Sequence, residues 1–352
     1  MTKRDVASEA ENDAPAEAPH PRQTTLLVGH TDAERTLLDA YRSDRIPHAW
    51  LIGGLRGIGK ATLAYRLARF ALAHPDPAAP EVQSAQSLAL DPDDPVARRV
   101  AAEAQGDLLI LERIINEKTG KLFTVIRVEE VRRTVSFFGS TAGEGGWRVA
   151  IVDSMDELNA EGANSLLKVL EEPPPRTLLL LISHAAGRVL PTIRSRCRTL
   201  MLRPLSIKEV ELAAAAALER ESGDAELQEA AAGAEGSVAR ALALLDGSAL
   251  ALRRRVTDLL DRLPAVDQRA LHMLGDMLSG SEPQTLSTFV QTVNGYLSRK
   301  LEQAAPELLR MHRLALAWEQ INSAAADAEE FNLERKPLVF SVFALLAEAA
   351  RR

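Results

Sequence analysis

A single cysteine, Cys197, stands in 352 residues, so an intrachain disulfide is impossible and a four-cysteine zinc site is excluded. Such sparing use fits a reducing, cytoplasmic setting. No apolar run approaches the roughly 20 residues needed to cross a bilayer, so no membrane partner is expected. The N-terminus also lacks the apolar core of a secretory signal. An excess of basic charge is missing too: Lys and Arg number 42 against 49 Asp and Glu, a net charge of −7. An autonomous nucleic-acid binder normally carries a basic face, so that role is disfavoured. Membership of a larger nucleic-acid-bound assembly is not.

What the chain does have is organised in blocks. Its length exceeds that of one ordinary compact domain. Residues 1–24 are rich in Ala, Glu, Asp and Pro, with Val6 nearly alone as a large apolar side chain. Such a segment buries too little surface to offset its ordering entropy, and a disordered tail is expected. The pattern TDAERTLLDAYR predicts a helix over 31–42 with Ala33, Leu37 and Ala40 on one face. Strand-like apolar runs occur at 46–52, 108–111, 149–152, 178–182 and 199–202. They are continuous rather than alternating, which suggests strands covered on both faces in a parallel sheet. Residues 74–94 read as an irregular connector and Lys118–Lys121 as a turn. Val131, Val135 and Phe138 share a face of a predicted helix over 129–138, while Arg132 and Arg133 lie away from it. Asn159 is placed to cap a helix whose buried stripe is Ala163, Leu166, Leu167 and Leu170, and Pro173-Pro174-Pro175 ends it. From Pro204 the composition turns to Ala, Leu and Glu with helical spacing: short helices at 207–219, 224–232 and 236–245, then longer ones to 350.

The first strand runs into Gly53-Gly54-Leu55-Arg56-Gly57-Ile58-Gly59-Lys60-Ala61-Thr62, and a helical pattern follows to Ala73. The segment from Gly54 to Lys60 has the spacing G-x-x-x-x-G-K. Glycines allow backbone N–H groups to curl around phosphate oxygens, the helix N-terminus adds positive potential, and Lys60 would reach the β- and γ-phosphates. A glycine turn with no ligand would not require the lysine. The position after the lysine normally carries the hydroxyl that ligates Mg²⁺, and here it is Ala61. Thr62 lies about 100° further round the helix and is no simple substitute. ATP or ADP binding is therefore a candidate activity, and Mg²⁺-assisted hydrolysis is in doubt.

Asp153 and Ser183 follow the third and fourth apolar runs. Groups at the carboxyl ends of parallel strands face the ligand crevice, so both are candidates for chemistry or ligand contact. Gly54, Gly57, Gly59, Lys60, Thr62 and Asp153 thus form the candidate nucleotide site. His48, at the start of the first strand, reads as a residue that hydrogen-bonds a neighbouring loop. Cys197 has no evident base partner and reads as a packing residue rather than a nucleophile.

Three segments in this order resemble one family: Pro47-His48-Ala49 before the loop, Asn164-Ser165-Leu166-Leu167-Lys168-Val169-Leu170-Glu171-Glu172-Pro173 after the Asp153 strand, and Leu190-Pro191-Thr192-Ile193-Arg194-Ser195-Arg196-Cys197. They are similar to the AAA+ clamp-loader subunits of bacterial DNA polymerase III, and most closely to the delta-prime family. The resemblance covers 25–205 strongly and the segment Gly236–Leu242 more weakly. It implies an α/β AAA+ P-loop domain with a five-stranded parallel sheet over 25–205, a helical lid over 206–248 and an all-α collar over 249–352. It also implies a hetero-pentameric ring with delta and tau or gamma subunits. The sliding clamp and primer-template DNA would be reached through that complex.

The resemblance gives Arg196 of the Ser-Arg-Cys motif a role: an arginine finger directed at the γ-phosphate bound by a neighbouring subunit. The alternative for Arg196 is pairing with a local carboxylate. Hydrolysing relatives carry a glutamate where this chain has Ser154, and a lid arginine where it has Ala239. With Ala61, these substitutions favour a largely non-hydrolysing stator. The competing reading is an ATP-hydrolysing motor subunit of the tau or gamma kind. A small-molecule kinase would leave the Ser-Arg-Cys segment and the helical C-terminal third unexplained.

Overall fold

The computed structural model describes residues 19–43, 45–116, 120, 122–139, 146–279, 283–304 and 307–350. The strands are β1 (Ala49–Gly53), β2 (Leu108–Leu111), β3 (Arg148–Val152), β4 (Thr177–Ser183) and β5 (Arg198–Met201). They form one parallel sheet in the order β2-β3-β4-β1-β5. Every residue of β1 and β4 is buried, whereas the edge strand β5 is largely exposed.

Side chains alternate across a strand, so each central strand feeds two cores. Trp50, Ile52, Val149, Ile151, Leu178, Leu180 and Ile182 face one, which Leu37 and Tyr41 of the helix Thr31–Arg42 and Leu63, Leu67 and Phe70 of the helix Lys60–Ala73 complete. Leu51, Ala150, Val152, Leu179 and Leu181 face the other, closed by Val131 and Phe138 of the helix Val128–Gly139 and by Leu166 and Leu170 of the helix Ala160–Glu171. A strand with a core on each face needs an unbroken apolar run, which is why these segments do not alternate.

By its contacts the chain forms two compact units that divide within residues 231–240. The second contains the helices Ala249–Asp261, Gln268–Leu278, Pro283–Ala304, Leu308–Glu330 and Arg335–Ala350 around Leu252, Val256, Phe289, Val293, Ile321 and Phe343. Within it, Asn294 and Asn322 exchange amide hydrogen bonds of 2.9 and 3.0 Å, each satisfying the other.

Local signals act as expected at several helix starts. Asn159 accepts from the Gly162 N–H at 2.8 Å, and Ser206 with Glu209 forms a capping box. Other expectations need correction. Val135 is 37% exposed, and Thr134 takes the buried place between Val131 and Phe138. Thr134 tolerates burial because its hydroxyl donates to the Val131 carbonyl at 2.7 Å. The connector 74–94 contains a short helix, Pro80–Ser84, and buries Val82 and Leu88 in the first core. Residues 1–18 of the expected tail and most of the turn at Lys118–Lys121 lie outside the described residues. Residues 19–24 are held rather than loose: buried Arg69 donates to the Arg22 and Thr24 carbonyls at 3.0 and 2.7 Å.

Glu34 joins three segments of the first unit. It pairs with Arg66 at 2.6 Å, both side chains being nearly buried, and accepts the Leu88 N–H at 2.9 Å. Glu34→Ala leaves a buried cation and a buried N–H without their acceptor, so a loss of about 3 kcal/mol is expected. Glu34→Gln keeps an acceptor and loses less. Urea unfolding monitored at the tryptophans measures both.

Candidate functional site

After β1 the backbone turns through Gly54 (φ 145°), Gly57 (φ 75°) and Gly59 (φ 98°), and the helix begins at Lys60, two residues earlier than the helical pattern at Thr62 indicates. A side chain at Gly54 would meet Ile58 Cδ1 at 2.7 Å and the Leu202 carbonyl at 2.8 Å. At Gly57 it would run into Ser237 Oγ and Ala239 Cβ. Glycine is required at both, for backbone conformation and for space. The Gly57 carbonyl accepts from the N–H groups of Val238 at 2.8 Å and Ala239 at 3.3 Å. The Ile58 carbonyl accepts from buried His30 Nε2 at 2.7 Å, and burial lowers the pKa of that imidazole. These contacts fix the loop from outside.

Lys60 is buried and turned into its own loop: Nζ donates to the Gly54 carbonyl at 2.8 Å and the Leu55 carbonyl at 2.5 Å. Desolvation lowers its pKa to about 8, against the pull of Asp153 and Asp156. Asp153, at the end of β3, is pushed up to about 6 by desolvation, with Lys60 opposing. The charges of Lys60 and Asp153 act on each other at the carboxyl rim of the sheet.

Ser183 is not open to a ligand. Its hydroxyl donates to Asp156 at 3.1 Å and it is fully buried. Asp156 also accepts the N–H groups of His184 at 2.6 Å and Ala185 at 3.1 Å. Its carboxylate therefore organises the loop leaving β4, a role the sequence reading missed. The available signal was the run of donors after β4, which needed an acceptor from a neighbouring strand end. Glu157 pairs instead with Arg113 at 3.0 Å. His184 is driven to about 4 by burial and then by the charge of Lys60. Ser154 Oγ and His184 Nδ1 are buried with no hydrogen-bond partner among the described residues.

The loop shape, the helix start, Lys60 and these two orphaned polar atoms fit a phosphate-bearing ligand. Gly54, Gly57, Gly59 and Lys60 would hold it, and the nucleotide would supply the phosphoanhydride. The Mg²⁺ half of the site does not fit. Ala61 has no hydroxyl and packs against the first core, and Thr62 is half-buried on the next face of the helix. Among the described residues no group of three or more His, Cys, Asp or Glu side chains is arranged to hold a metal ion. At the lid-arginine position stands Ala239, and Arg240 beside it pairs with Glu235 at 2.8 Å.

Arg196 is not part of this cluster. It precedes β5, whose register sets Arg198 beside Trp50 and Met201 beside Gly53. Arg196 therefore lies at the amino edge of the sheet and Lys60 at the carboxyl edge, with three residue steps of β1, about 10 Å, between those edges. Arg196 is exposed and pairs with Glu171 at 2.7 Å. Cys197, half-buried and packed on the second core, has its thiol pushed up to about 12 by burial, which makes it inert. His48 Nε2 bonds the Leu170 carbonyl at 3.1 Å, the structural role expected of it.

The raised Asp153 pKa has a definite sign. The folded chain keeps a proton that the unfolded chain releases near 3.8, so this group contributes stability below that pH and loses it as pH rises through about 6. In Asp153→Asn that part of the profile is absent. The thermal midpoint of the variant minus that of the parent should rise between about pH 4 and 6 and level off above, measured by calorimetry over that range.

A family model described as DNA polymerase III, delta subunit, matches residues 29–206, just over half of the chain. The delta-prime subunit of Pseudomonas aeruginosa DNA polymerase III is 39% identical over 150 residues, 43% of this chain and 41% of that protein. The tau subunit of Escherichia coli is 26% identical over 316 residues, 87% of this chain and 45% of that protein. The chain thus spans less than half the length of either relative. A solved structure of a gamma-subunit-related protein from Thermotoga maritima superposes with a TM-score of 0.42 at 15% identity, covering 90% of this chain and 99% of that one. Among the described residues no helix is long and apolar enough to cross a membrane. By the extent of the family match, the chain belongs to the DNA polymerase III delta-subunit family.

Proposed function

We propose that this chain is a delta-prime-type stator: a largely non-hydrolysing clamp-loader subunit that supplies Arg196 to the ATP site of a neighbour. Its partners in this reading are delta and tau or gamma subunits in a hetero-pentameric ring, and through them the sliding clamp and primer-template DNA. The division into an AAA+ domain over 25–205, a lid over 206–248 and a collar over 249–352 belongs to the same proposal, as does a cytoplasmic setting.

The observation that carries it is the position of Arg196. The side chain is exposed at the edge of the sheet opposite its own phosphate loop, where it pairs with Glu171, the local carboxylate contact that was its alternative. A guanidinium brought to a transferring phosphoryl group stabilises the charge that spreads over the equatorial oxygens. The loop argues in the same direction. Hydrolysis lacks a hydroxyl at Ala61, a carboxylate at Ser154 and a cation at Ala239. What remains, Lys60 and the glycine turn, supports binding of ATP or ADP without efficient turnover.

The motor alternative has one point in its favour, the well-formed turn with Lys60 at its centre. ATP turnover by the purified chain decides between the two: the stator reading expects none above background, and turnover like that of a motor subunit overturns it. In a reconstituted loader, Arg196→Ala should lower single-turnover hydrolysis at the served site by about 10³-fold or more while the melting temperature stays unchanged. An unchanged rate refutes the finger. Lys60→Ala should leave clamp loading on primed DNA near the parent level, and a large loss would mean that this subunit's own nucleotide matters.

A further inference from the structure

Arg196 is held by its own chain. One terminal nitrogen donates to the Thr192 carbonyl at 2.8 Å and lies 3.4 Å from Ser195 Oγ. The other meets Glu171 Oε1 at 2.7 Å. An end-on bidentate phosphate contact draws on the same two nitrogens. In this conformation both terminal nitrogens are turned to partners within the chain.

Glu171 does not owe its position to Arg196. It is the last residue of the helix Ala160–Glu171, two residues before the proline run that prevents the helix from continuing. The carbonyl before it, Leu170, is tied to the start of β1 through His48. The carboxylate is thus presented by the framework, and the arginine comes to it. Arg196 follows the short helix Pro191–Arg194, and its own N–H bonds the Ile193 carbonyl at 3.0 Å, so its Cα is fixed while its long side chain is free to turn.

The pair is also exposed, with side-chain accessibilities of 36% and 49%. Water and salt screen such pairs, which makes them easy to exchange. A triphosphate end carries more negative charge than one carboxylate and offers several acceptor oxygens to the fork.

We infer that Glu171 stows Arg196: it holds the guanidinium along the subunit's own surface and sets how readily that side chain is given up to a neighbour's nucleotide. This rests on the finger reading above. Glu171 is a positioning residue that acts through Arg196 and touches no substrate. Stowing lowers the fraction of subunits with a free fork, and apparent activity falls by that fraction.

The test is steady-state, DNA-stimulated ATP hydrolysis by the reconstituted loader over a range of ATP concentrations. It compares the parent chain with Glu171→Gln, Glu171→Asp, Arg196→Ala and the double variant Glu171→Gln/Arg196→Ala, each checked by its melting curve. Glu171→Gln should raise kcat/KM by about two- to fivefold, the size of effect that an exposed ion pair supports. Glu171→Asp should stay near the parent. In the Arg196→Ala background, Glu171→Gln should change nothing, because its effect runs through the arginine. A merely structural role predicts loss on removing the carboxylate, not gain. Glu171→Gln at or below the parent rate, with Arg196→Ala slow, overturns the stowing role alone. So does a gain that persists in the double variant. Arg196→Ala at the parent rate sinks the finger reading itself.

Discussion

A parallel sheet with a core on each face is the constraint from which the rest follows. β1 and β4 are completely buried, and polar side chains occur in them only at the two ends of β4, at Thr177 and Ser183. All the chemistry is consequently pushed to the two rims. At the carboxyl rim stand the phosphate loop, Asp153 and the Asp156 carboxylate that gathers the loop after β4. At the amino rim stands Arg196, on the short crossover into β5. The pairing of Gly53 with Ser183 and Met201 on one rim, and of Trp50 with Arg198 toward the other, keeps Lys60 and Arg196 apart.

At the carboxyl rim a glycine turn with phosphate-loop spacing stands beside Ala61 and Ser154, which offer neither a magnesium hydroxyl in the usual place nor a carboxylate. Lys60 and Asp153 share a low-dielectric base, and desolvation moves both toward neutrality, one down to about 8 and the other up to about 6. Each partly compensates the other, and Lys60 satisfies its donors on the Gly54 and Leu55 carbonyls. The turn is also buttressed from outside, by His30 on Ile58 and by Val238 and Ala239 on Gly57. Gly57 is needed for that close approach as much as for any phosphate.

Much of the fold was legible in the residues. Continuous apolar runs marked the strands because both faces are covered, and the glycine turn with Lys60 marked the loop because its conformation and spacing leave few alternatives. Asn159 announced its helix through a local hydrogen bond. Apolarity alone misjudged one core position, and local signals failed where a distant partner decided the outcome. Thr134 replaced Val135 in the core because a backbone carbonyl within its own helix satisfied the hydroxyl. Residues 19–24 were held by Arg69, far along the chain, although their composition reads as tail. Asp156 and Ser183 met only because two strand ends lie side by side.

By itself the sequence determined which groups exist and which are missing: a lysine and glycines for phosphate, no hydroxyl at Ala61, no carboxylate at Ser154, one arginine in a Ser-Arg-Cys segment. These follow from side-chain chemistry and short-range spacing, which need no fold to be read. Only the tertiary structure decided what each group faces. Strand order put Arg196 on the rim away from its own loop, buried Ser183 against Asp156, and brought Glu171 to the arginine. Those neighbours are set by packing between segments tens of residues apart, and no local pattern carries that information.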